Sequence, residues 1–206
     1  METNTGITKW LRRPRLYELF QDAIGGNKLR RWFIQSHVRA KPGDKIIDIG
    51  CGPGQIFPWL PAVNYVGLDI SANYIAAANK NYGDKATFLA GDVETVWNDD
   101  RFSSADIVIG LGILHHLDDV LASRCIQFAH RCLKEGGRLV CLEACWLKDQ
   151  GLVSRAIMSR DRGQHIRTQE AYRDLLLRFF GPPKMWVQLK PMRIPYVTIV
   201  FECEKQ

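Results

Sequence analysis

The sequence predicts an α/β fold: one domain with a doubly wound, mostly parallel sheet. Short β-branched or aliphatic runs alternate with segments of helical periodicity, the pattern of right-handed β-α-β units. The runs are apolar almost throughout, as expected of strands covered on both faces. Two further strand candidates close the chain and suggest an antiparallel hairpin on the sheet edge.

The elements follow in order. Leu16, Leu19, Phe20 and Ala23 have helical spacing over 14–24, with Pro14 in the first turn and Gly25-Gly26 as the stop. A second helix is expected over 27–39, ending before Pro42-Gly43. Strands are expected at Lys45–Ile49, Tyr65–Leu68, Ala86–Leu89, Ile107–Ile109 and Arg138–Leu142, each bounded by Gly, Asp or Asn. Between them lie helices over 71–81, with Ser71 as N-cap, and 119–133, stopped by Gly136-Gly137. The stretch 148–167 is polar and reads as an insertion after the fifth strand. A helix over 168–180 is stopped by Gly181-Pro182-Pro183, and strands are expected at 185–189 and 196–202. The expected division is an N-terminal helical cap (1–42), a core (43–145), an insertion with its helix (146–183) and C-terminal strands (184–206).

Composition narrows the function classes. With 206 residues, 46% hydrophobic and 24% charged, the chain can build its own core, burying roughly 70% of the surface that its unfolded form exposes. No apolar run approaches the ~20 residues that cross a bilayer, and the first twenty residues have no leader pattern, so no membrane association is expected. Six cysteines scattered through apolar segments read as reduced thiols, which points to a cytoplasmic protein. Cys141, Cys145, His130 and Cys132 lack Cys-x-x-Cys spacing, so no metal site is expected. The net charge of +6 permits an anionic partner without requiring one.

The chemistry starts at Ile46–Gly54, IIDIGCGPG. A strand carrying Asp48 runs into a turn with Gly50, Gly52 and Gly54 at every second position. Bare backbone there lets a ligand approach closely at the carboxyl edge of the first strand. Asp69, at the end of the next strand and 21 residues after Asp48, suits the two hydroxyls of a ribose. The spacing is G-x-G-x-G, not the G-x-G-x-x-G of a pyrophosphate site, and the acid within the strand suits a cationic amino-acid group better than a phosphate.

Asp48-x-Gly50-Cys51-Gly52-x-Gly54, Asp69, Gly91-Asp92, Asp106–Gly110 leading into Leu114-His115-His116-Leu117, and Leu133-Lys134-x-Gly136-Gly137 together resemble the class I S-adenosylmethionine-dependent methyltransferases. The resemblance covers 45–144. It implies a seven-stranded sheet with the last strand antiparallel and S-adenosyl-L-methionine as cofactor. By the same resemblance, the Gly50–Gly54 turn, Cys51 included, wraps the methionine moiety. Asp69 holds the ribose with Ile70 beside it, Asp92 and Val93 meet the adenine, and Gly110 and Leu111 lie near the methionine end and the acceptor. Pro58 and Pro61 interrupt the first helix after the turn, a departure from the pattern.

Methyl transfer from a sulfonium needs mainly an in-line acceptor, and a base only where the acceptor must lose a proton. His115 and His116, after the fourth strand, are the candidates for that base, or else bond backbone groups. Asp118 and Asp119 are expected to cap the following helix. Tyr17, in the N-terminal cap, is a candidate for the cofactor carboxylate. Arg160, Arg162, His165 and Arg167 in the insertion form either a solvated surface or a polar grip on the acceptor.

The favoured reading is methyl transfer to a small polar acceptor such as a sugar or a secondary metabolite. RNA or tRNA methylation is the alternative, encouraged by the basic balance and opposed by the want of an RNA-binding module and of an Asn/Asp-Pro-Pro-Tyr signature. A cofactor-binding protein without catalysis and an NAD-dependent oxidoreductase are the others, the last opposed by the glycine spacing.

Overall fold

A computed structural model describes residues 25–161, 163–189 and 191–206. The expected opening helix, with Tyr17, lies outside the described residues. Five strands run parallel: β1 (Lys45–Ile49), β2 (Asn64–Asp69), β3 (Thr87–Ala90), β4 (Ala105–Leu111) and β5 (Leu133–Trp146). A two-residue β6 (Arg167–Thr168) pairs with the end of β5. β8 (Thr198–Glu204) inserts antiparallel between β5 and the edge strand β7 (Lys184–Gln188), giving the order β3-β2-β1-β4-β5-β8-β7. The edge hairpin and the antiparallel last strand match expectation. The short β6 brings the sheet to eight strands instead of seven.

Period-two alternation sends successive strand residues to opposite faces. Ile46, Ile107, Ile109, Val140 and Val200 pack with Phe33 of α1 (Gly26–Phe33) and Ile75 of α2 (Ala72–Tyr82). Ile47, Val108, Leu139, Ile199 and Phe201 pack with Phe128 of α3 (Asp119–Cys132) and Leu176 of α5 (Gln169–Leu176). Each such side chain contributes about 1.5–3 kcal/mol by leaving water. All six cysteines are free and buried among these groups. No helix among the described residues is long and apolar enough to cross a membrane.

Caps fall where their residue types place them. Ser71 accepts from Tyr74 N at 3.4 Å, Asp118 from Leu121 N at 2.8 Å and Thr168 from Ala171 N at 3.3 Å. Besides shifted bounds, chiefly of β5, which starts at Leu133 and takes in Gly136-Gly137, two elements differ in kind from expectation. The helix expected to reach residue 39 turns into a π-helical turn over Ile34–Val38. Its last carbonyls accept from Arg138 of β5, at 3.2 Å for His37 O and 2.7 Å for Val38 O, and Arg39 leaves it at φ 50°. The polar stretch 148–167 holds a helix, α4 (Leu152–Met158), anchored by buried Met158 and by Gln150, whose amide donates to Ser154 Oγ at 2.8 Å.

The order of strands reverses between β1 and β4, since the chain leaves β1 toward β2 and β3 and returns to lay down β4 and β5. A crevice therefore opens beyond the carboxyl ends of β1 and β4, where open α/β sheets bind ligands.

Candidate functional site

The turn after β1 forms one wall of this crevice. Gly50, Gly52 and Gly54 all have positive φ, at 78°, 54° and 79°. The amides of Gly50 and Cys51 donate to Leu68 O at 2.7 and 3.1 Å, tying the turn to β2. A Cβ built on Gly52 meets nothing within 4 Å, so the turn presents open space at that residue.

Two carboxylates flank the turn. Asp48 is buried on β1, where Tyr65 Oη donates to its Oδ2 at 2.5 Å. Its Oδ1 is buried with no hydrogen-bond partner among the described residues. Burial pushes its pKa up to about 7 against the opposing Tyr65 hydrogen bond, with the nearby Asp69 charge adding to the rise. Asp69, at the end of β2, accepts from Gly52 N at 2.9 Å through Oδ2 and from Ser71 N at 2.8 Å through Oδ1. A carboxylate has about four lone-pair sites, so Asp69 retains acceptor capacity. Beside it Ile70 is 81% exposed, a large apolar side chain next to a polar group.

Along the same edge, exposed Asp92 accepts from Thr95 N at 2.9 Å, and Val93 packs on the core beside it. Gly110 lies against Cys141, where a Cβ would stand 2.8 Å from Sγ, and Leu111 is half-buried at the end of β4.

The turn after β4 is organised by Glu143, a residue the sequence reading passed over. Glu143 is 0% exposed, and its carboxylate accepts from the amides of Ile113, Leu114 and His115 at 3.0, 2.8 and 3.2 Å. His115 Nδ1 lies 2.6 Å from Glu143 Oε2. The opposite nitrogen, Nε2, is 3.7 Å from Asp161 Oδ1. Burial opposes charging of His115, but the Glu143 hydrogen bond and the charges of Glu143 and Asp161 outweigh it, so its pKa stands above the ordinary value. Asp161 is itself oriented by Tyr196 Oη at 2.6 Å and Gly163 N at 2.7 Å. The insertion presses close: His165 N donates to His115 O at 2.9 Å, and a Cβ on Gly163 would lie 2.0 Å from His115 Cδ2. His116 is exposed, its ring 4.3 Å from that of His115.

The four insertion residues separate. Arg167 is buried, and its guanidinium donates to Leu114 O at 2.8 Å, His165 O at 3.1 Å, Leu117 O at 2.7 Å and Asp119 Oδ1 at 2.9 Å. Of the two roles expected for it, its burial rules out the solvated surface. It clamps the turn after β4 to the insertion, because a buried guanidinium needs several acceptors at once. Arg160 is exposed and donates to Ala156 O at 2.7 Å, closing the end of α4. His165 is exposed. Arg162 lies outside the described residues, as does Tyr17. Glu143 had a signal in the sequence, a lone acid inside the apolar run RLVCLEACW. Tyr196 had none, since only the folded chain brings it to Asp161.

Residues 47–141 match the family model described as a methyltransferase domain. The chain is 28% identical over 138 residues to the ubiquinone/menaquinone biosynthesis C-methyltransferase of Laribacter hongkongensis, covering 62% of this chain and 54% of that protein. It thus spans about half the length of that curated relative. Among solved structures, the pyocyanin biosynthetic protein PhzM superposes with a TM-score of 0.75 at 19% identity, over 98% of this chain and 62% of that one. Geranyl diphosphate C-methyltransferase from Streptomyces coelicolor A3(2), solved with Mg2+, geranyl diphosphate and S-adenosyl-L-homocysteine, superposes with a TM-score of 0.68 at 14% identity, over 87% and 80% of the two chains.

Proposed function

We propose that the chain is a class I, Rossmann-like S-adenosylmethionine-dependent methyltransferase and that it transfers a methyl group to a small polar acceptor, a reading supported by the methyltransferase-domain match over 47–141. One observation carries this reading: beside an open glycine turn sits a buried carboxylate with an unpartnered oxygen, Asp48 Oδ1. A buried polar atom without a partner calls for a ligand group, and an ammonium suits a carboxylate.

The cofactor, when bound, supplies an activated methyl on a sulfonium. The protein's own residues hold it. Asp48 faces its amino group, and the amides and bare backbone of the Gly50–Gly54 turn, with Cys51, line its amino-acid end. Asp69 takes the ribose hydroxyls, for which it keeps lone pairs. Ile70 covers an adenine face, a use that accounts for 81% exposure of an isoleucine. Asp92 and Val93 meet the adenine edge, and Gly110 and Leu111 border the place where the acceptor must arrive.

Holding donor and acceptor in line supplies much of the acceleration. His115 is held at Nδ1 by the buried Glu143 carboxylate, with Asp161 facing its other nitrogen, and serves to position the turn, not to take an acceptor's proton. The acceptor side is built by the insertion, with Arg160, His165 and His116 as its exposed polar groups. The test is incubation with radiolabelled S-adenosylmethionine and fractionated cell extract. Label should enter low-molecular-weight products; label in RNA alone, or in nothing, would overturn the assignment.

A further inference from the structure

The geometry points to a divalent transition-metal site of zinc type formed by His115, His116 and Asp161, at the junction between the turn after β4 and the insertion. The inference does not depend on the methyl-transfer reading.

The groups around His115 fix its tautomer. Its Nδ1 is 2.6 Å from a fully buried carboxylate, Glu143, which fixes Nδ1 as the protonated nitrogen. Nε2 then directs its lone pair toward Asp161 Oδ1 at 3.7 Å. That distance is too long for a hydrogen bond and too short for a lone pair to face a carboxylate without a cation between them. Two ligand atoms, each about 2.1 Å from a zinc-type ion, stand roughly 3.4 Å apart at the tetrahedral angle, within a few tenths of an ångström of this gap.

A third ligand is at hand. The His116 ring packs 4.3 Å from that of His115, and the ligating atoms of His115, His116 and Asp161 lie within 4.8 Å of one another. The supporting shell is also present. A ligating histidine usually gives its other N–H to a carboxylate, as His115 does to Glu143, and a ligating carboxylate is usually itself hydrogen-bonded, as Asp161 is by Tyr196 at 2.6 Å and Gly163 N at 2.7 Å. Two imidazoles and one carboxylate suit zinc, cobalt or nickel over magnesium or calcium, and leave a fourth position for water or an acceptor oxygen. An ion there would fasten the insertion, through Asp161, to the turn that carries both histidines.

The test uses the full chain stripped with chelator and titrated with Co2+, whose bound form absorbs in the visible. One equivalent should bind, Zn2+ should displace it, and either metal should raise the melting temperature. His116→Ala and Asp161→Asn should each weaken Co2+ binding at least tenfold, and His165→Ala, in the same insertion, should leave it unchanged. Each variant's circular dichroism spectrum checks that it is folded. No absorption at up to about 1 mM Co2+, or equal affinity in wild type, His116→Ala and Asp161→Asn, would overturn the site and leave a proton as the cation between His115 and Asp161.

Discussion

Asp48, proposed to meet the cofactor's ammonium, is a titratable group buried inside the fold. Its carboxyl ordinarily ionises near pH 3.8, and burial raises this to about 7. Between these values the unfolded chain has lost a proton that the folded chain retains. Stability from this group is therefore full below about pH 4 and declines as the pH climbs to about 7. Asp48→Asn should flatten that decline in melts recorded from acid to neutral pH, and weaken S-adenosylhomocysteine binding roughly tenfold in calorimetry at pH 8, where the native group is a carboxylate. An unaltered slope would assign the pH dependence elsewhere. Asp69 holds the backbone of Gly52 and Ser71 as well as serving its proposed ligand, so truncation to alanine would mix two effects. Asp69→Asn keeps an acceptor oxygen for the backbone; S-adenosylhomocysteine affinity should fall at least about tenfold while the melting temperature moves little. Equal affinity would reject the ribose assignment. Both acids stood out in the sequence because each ends or interrupts an apolar strand beside glycines. Asp161 and Tyr196 did not, because their meaning lies in each other.

At the scale of elements, the insertion is bound to the site by Arg167. Replacing Arg167 with Met leaves the carbonyls of Leu114, Leu117 and His165 without their donor, and should lower stability to urea by about 3 kcal/mol. Arg167→Lys should recover only part, since an ammonium lacks the planar fork that reaches several acceptors. Loss of no more than about 0.5 kcal/mol in Arg167→Met, the range of an ordinary surface change, would show that the clamp is not needed. Strands and capped helices were legible because periodicity and cap chemistry act over a few residues: Ser71, Asp118 and Thr168 sit where their helices begin. α4 was hidden because its buried face pairs a serine with a methionine, Ser154 and Met158, while its apolar Leu152 and Val153 face solvent. The π-helical turn of Ile34–Val38 depends on Arg138, about a hundred residues away, and has no local signal.

For the whole molecule, the sheet order sets one crevice at the reversal between β1 and β4, with the glycine turn on one wall and the turn after β4, held from beneath by buried Glu143, on the other. A ligand that bridges these walls stabilises the native state by mass action. S-adenosylhomocysteine at a hundredfold its Kd should add about 2.7 kcal/mol, a rise of roughly 5–10 °C in melting temperature for a domain of this size. A melt that does not move would show that the crevice does not take this ligand. The matched family region, 47–141, covers the first wall and β1–β4 but stops short of Glu143 and the insertion.

By itself the sequence determined the alternation of strands and helices, the glycine turn and the two acids beside it, because strand runs, turns and caps are governed by neighbours within a few residues. Tertiary structure decided what His115 faces, that Arg167 is a clamp, and that Tyr196 and Asp161 meet. Those outcomes depend on strand register and on the closure of long loops, which bring together groups whose separation along the chain carries no trace of their contact.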